Sequence, residues 1–104
     1  MIKKQFLKSK PVCKATFTLP VEAAPEAKKV ALVGEFNNWD VKKAIPLKKQ
    51  AKAGVFKALV ELETVKSYEF RYLIDGKTWE NDWDADAYNP TPFGEENSVV
   101  IALN

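Results

Sequence analysis

The chain has no histidine and one cysteine, Cys13, which removes the Ser-His-Asp triad, the Cys-His dyad and every zinc site built on imidazole. The acids could still act in two ways. Asp82, Asp84 and Asp86 copy the first three ligand positions of an EF-hand loop, but Ala87 stands where that loop needs glycine and Phe93 where it needs a bidentate glutamate. A solvated acidic loop is therefore expected. Glycoside hydrolysis needs two carboxylates about 5 Å or about 6.5 to 9.5 Å apart, together with a cleft that excludes water and raises one pKa. A chain of 104 residues has little length from which to build such a cleft, so no catalytic residue, cofactor or metal is expected.

The aromatic residues carry more. Trp39, Trp79 and Trp83 all lie in polar surroundings, the first in GEFNNWD (34 to 40) and the others in TWENDWD (78 to 84). A lone loop tryptophan ordinarily folds back to plug the end of a sheet. Two near one sheet edge, beside an outward arginine, suit a sugar, because a pyranose ring offers an apolar C–H face to an aromatic platform and a fringe of hydroxyls to planar polar groups. An indole that removes about 100 Å² of apolar surface from water contributes about 2.5 kcal/mol. Association offsets much of this, so two platforms imply a dissociation constant between about 10 μM and 1 mM.

The elements that must position these groups read as strands. Period-two alternation recurs in VCKATFTL (12 to 19), GVFKALVEL (54 to 62) and SYEFRYLI (67 to 74). In the last, Tyr68, Phe70, Tyr72 and Ile74 fall on one face; Ser67, Glu69, Arg71 and Leu73 fall on the other, expected to face solvent. KVALVGEF (29 to 36) is apolar on both faces, as a central strand would be, and SVVIAL (98 to 103) is another β-rich run. Clusters of Pro, Gly, Asn and Asp separate these runs, which points to an all-β antiparallel sandwich of about seven strands. The Asp75-Gly76 pair suits a tight hairpin turn that presents Lys77 to Trp79 at one end of the sheet. Residues 79 to 97 form the longest segment without a strand pattern, and long ordered loops are usually functional.

Length fits one domain over 1–104, with 1–27 a first strand and its connection. With 46% hydrophobic and 29% charged residues the chain is too apolar for a disordered one. No apolar run reaches the roughly 18 residues of a membrane span and the N-terminus lacks a signal-peptide pattern, so a cytoplasmic location without membrane attachment is expected. Cys13 alternates with Ala15, Phe17 and Leu19 and should be a buried thiol. Residues 1 to 57 hold thirteen lysines against four acids, and residues 58 to 104 three bases against ten acids. Cross-strand charge complementarity explains this division; the scattered lysines carry no nucleic-acid motif. A competing reading is a protein-interaction domain that docks a metabolic enzyme or a second copy of itself through the aromatic patch or a sheet edge.

The succession VALVGEFNNWD, a PLKK strand, GVFKALVEL, YEFRYLIDGKTWEND and FGEENSVV resembles carbohydrate-binding module family 48, over about residues 28–104. That family includes the glycogen-binding domain of AMP-activated protein kinase β subunits and the N-terminal early-set domain of isoamylases. The resemblance implies an immunoglobulin-like early-set β-sandwich and non-catalytic binding of α-1,4-linked glucan such as glycogen or starch. It implies Trp39 and Trp79 as sugar platforms, Arg71 in the place of a hydroxyl-binding lysine, and Phe93 and Asn97 as further contacts. Asn38, Lys77, Trp83 and Glu95 are possible additions; Glu95 stands where the family has threonine. The same resemblance implies association with a glycogen- or starch-metabolising enzyme, or alternatively a structural domain related to the N-terminal domains of glycoside hydrolase family 13, without sugar binding.

Overall fold

The computed structural model describes residues 2–103, and among them nine strands: β1 (Lys3–Phe6), β2 (Val12–Pro20), β3 (Val30–Gly34), β4 (Ile45–Gln50), β5 (Val55–Glu63), β6 (Lys66–Ile74), β7 (Thr78–Glu80), β8 (Ala87–Pro90) and β9 (Glu96–Ala102). All pairings are antiparallel. The strands follow one path, β1-β2-β5-β4-β3-β6-β9-β8, with β7 added to β6. That path curls into two layers. β4 is shared between them: Ile45, Pro46 and Leu47 pair with β3, whereas Lys48, Lys49 and Gln50 pair with β5.

The alternation in the sequence becomes this layering. On β2, Cys13, Ala15, Phe17 and Leu19 are all fully buried, as are Phe70 and Tyr72 on β6. Phe17 meets Phe70 across the layers with ring centroids 5.0 Å apart at 78°, the edge-to-face arrangement that aromatic quadrupoles favour. Burial raises the pKa of the Cys13 thiol, in keeping with an inert core group.

Nine strands replace the expected seven or so because β1, β7 and β8 are too short, or too polar, to alternate visibly: KKQF, TWE and AYNP. The segment 79–97 is therefore not one long loop, and Trp79 stands on a strand. A second correction concerns Leu73, on the outward face yet only 5% exposed. Its register neighbours are Ala31 and Trp79, so β7 adds a bulky side chain beside it and turns a wet face into a partly apolar one.

The Asp75-Gly76 turn has positive φ at both residues, 52° and 68°, the left-handed backbone that an Asp-Gly pair tolerates, and with Lys77 it makes a three-residue connection between the paired Ile74 and Thr78. Asp75 also accepts backbone hydrogen bonds from Lys28 N (2.9 Å) and Lys29 N (2.8 Å), anchoring the turn to the entry of β3. Strands of the lysine-rich half, β1, β2 and the end of β4, form one layer with β5, while the acid-rich half supplies β6 to β9 of the other. Lys14 lies opposite Glu61 and Lys4 pairs with Asp86 at 2.6 Å, two cases of the expected complementarity. Lys48 lies opposite Lys57, where the rule fails.

Candidate functional site: an aromatic cleft on the outward face of β6

GEFNNWD folds as a clamp. Gly34 ends β3 where a Cβ would come within 2.5 Å of Glu69 O and 2.7 Å of Phe70 Cβ, so only glycine lets the two backbones approach. Asn37 accepts from Gly34 N (2.9 Å) and donates to Leu32 O and Lys43 O (both 3.2 Å). Glu35 Oε1 accepts from Glu69 N at 2.6 Å, and Phe36 packs inward against Phe17 and Tyr68. These bonds force the chain to reverse, with Trp39 N closing on Gly34 O at 2.9 Å. Asn38 and Trp39 both take left-handed backbone, with φ of 55° and 57°. Asparagine tolerates that region; for tryptophan it is an outlier. The turn thus holds the Trp39 indole out against local preference.

Trp79 reaches the same surface from the other side. β6 lies between β3 and β7, and on its outward face Arg71 pairs in register with Val33 while Leu73 pairs with Trp79. Trp39 and Trp79 are 37% and 41% exposed, half-open rings and not core plugs. Together with Arg71 and Asn97 they line a cleft of about 240 Å³. Four of the five principal residues proposed from sequence are therefore neighbours.

The polar floor is a closed network. Arg71 Nε donates to Asn97 Oδ1 (2.6 Å), Nη1 to Glu95 Oε2 (2.8 Å) and Nη2 to Glu96 O (3.0 Å). Asn97 Nδ2 donates to Glu69 Oε1 (2.9 Å) and Asn89 Nδ2 to Glu69 Oε2 (3.3 Å). The side chain of Arg71 is only 15% exposed and that of Glu95 64%. Arg71 is outward, as its parity requires, but it is fixed in place instead of free in solvent. Glu69 and Asn89 were missed by sequence reasoning. Glu69 shares a strand face with Arg71, and that spacing was the one available signal.

The remaining candidates lie elsewhere. Phe93, 88% exposed, is on the turn between β8 and β9 and does not line the cleft. Neither do Asn38, Lys77 and Trp83; the Trp83 indole N–H donates to Glu80 Oε1 (3.2 Å), and Glu80 pairs with Tyr72, whose side chain faces the core. Asp82 overturns the expectation of a solvated acidic loop, being 3% exposed. It accepts from Tyr72 OH and Asp84 N, both at 2.8 Å, and its backbone N–H donates to Ser98 Oγ at 2.8 Å. Asp86 accepts from Ile101 N (2.7 Å) beside its ion pair with Lys4. These carboxylates fasten the 80s segment to the sandwich.

The structure is thus a two-layer β-sandwich with an open aromatic cleft on one sheet face. The sequence pattern of carbohydrate-binding module 48 (isoamylase N-terminal domain) matches residues 21–89, and the chain belongs to that family. The matched stretch includes Trp39, Arg71 and Trp79 but ends before Phe93, Glu95 and Asn97. No match was found among curated proteins.

Proposed function

We propose that the cleft binds α-1,4-linked glucan without catalysis. The observation that carries this reading is the convergence of two half-exposed indoles, Trp39 and Trp79, on one guanidinium–amide floor made by Arg71 and Asn97. Each indole offers a flat apolar wall to a pyranose C–H face. Arg71 has five N–H groups, of which the network engages three, leaving donors for hydroxyl oxygens. Exposed Phe93, on the same hairpin as Glu95 and Asn97, adds an apolar contact for a chain that extends past the cleft. The open shape suits internal segments of a polymer, which must enter from the side.

The test is electrophoresis in a native gel containing glycogen or amylose. Wild type should be retarded, and Trp39→Ala combined with Trp79→Ala should migrate as in a gel without glucan. Equal mobility of wild type with and without glucan would refute the reading.

A further inference from the structure

We infer that Glu95 makes this site selective for uncharged glucan over glucan bearing phosphate or carboxylate groups, a step that rests on the glucan reading above. Among the described residues, Arg71 is the one charged residue lining the cleft. A free guanidinium in such a place would seize an anionic substituent, since its planar fork matches phosphate and carboxylate oxygens two at a time. Here all three guanidinium nitrogens already face protein acceptors: Asn97 Oδ1, Glu95 Oε2 and Glu96 O. An anion gripping any two of these nitrogens would compete with a protein acceptor already bonded to each.

The charges point the same way. Glu95 contacts the guanidinium directly, and Glu69 stands one side chain behind it, bonded to Asn97. Two carboxylates around one cation leave the floor net negative. An incoming phosphate, with a charge of about −1.5 to −2, must displace Glu95 or approach two like charges; a hydroxyl faces neither obstacle. It can donate to a carboxylate and accept from a remaining guanidinium N–H, and indole stacking needs no charge. Because Glu95 is 64% exposed, salt screens part of this discrimination.

The experiment is titration calorimetry with a phosphorylated dextrin and with the same preparation after phosphatase treatment. At low ionic strength the wild type should bind the dephosphorylated dextrin about tenfold more tightly, and the ratio should shrink in about 0.5 M salt. Glu95→Gln, which keeps a hydrogen-bonding side chain and removes the charge, should bring the ratio close to one. Glu61→Gln, the same change of net charge on the opposite layer, should leave it as in wild type. Equal wild-type affinity for the two dextrins overturns the inference, as does an unchanged ratio in Glu95→Gln or an equal shift in Glu61→Gln. Binding of neither dextrin by wild type overturns the glucan reading and this one with it.

Discussion

Arg71 Nε donates to Asn97 Oδ1 at 2.6 Å, and Asn97 passes the connection on through Nδ2 to Glu69 Oε1 at 2.9 Å. The cleft floor is thus a relay from β6 to β9 and back to β6. Lysine could keep one contact but not the fork. Arg71→Lys should therefore lower stability by about 1 to 2 kcal/mol in urea unfolding, as acceptors at Asn97 and Glu96 lose their donors. No change in midpoint would mean that the network contributes nothing to the fold.

At Trp39 two effects separate cleanly. Glycine relieves the left-handed backbone, whereas alanine keeps its strain. Trp39→Gly should be more stable than Trp39→Ala by about 1 kcal/mol, and both should lose glucan retardation alike. Equal stability of the two variants would show that the turn relaxes away from positive φ once the indole is gone.

Tyr72 is fully buried, and its hydroxyl donates to Asp82 Oδ2 at 2.8 Å. Burial first, then the Asp82 charge, pushes the phenol well above its usual range, so it stays a donor throughout. Tyr72→Phe keeps the packing and strips a buried carboxylate of that partner. Loss of about 1 to 3 kcal/mol is expected at neutral pH; wild-type stability in the variant would contradict this role.

Asp75 provides the pH dependence. Backbone hydrogen bonds from Lys29 and Lys28 hold its carboxyl below the ordinary value. For a group whose folded pKa is depressed, the stabilisation is complete above the unfolded value, about 3.9, and is lost as pH falls through the folded one. Thermal midpoints recorded downward from pH 5 should fall less steeply for Asp75→Asn than for wild type. Parallel curves would exclude Asp75 as a contributor.

What sequence conveyed was whatever repeats. Phe17, Phe70 and Tyr72 announced the core by alternation, and Asp75-Gly76 announced its turn by chemistry. The indoles at Trp39 and Trp79 stood out because large apolar groups among Asn, Asp and Glu need a reason. Their convergence with Arg71 and Asn97 follows from register, which a single chain does not display. Asp82 was illegible for another cause: burial of an acid depends on a donor ten residues away, and nothing in DWDAD separates the buried aspartate from its exposed neighbours. Short strands such as TWE leave no period to detect.

One strand, β4, gives its first three residues to the cleft-bearing layer and its last three to the other. On that side the layers consequently share one backbone, since peeling either one strips the same strand of partners, while β1 and β8 remain the two ends of the path. Amide protons of β4 should then exchange only through the opening of the whole molecule, and the domain should melt in a single concerted transition.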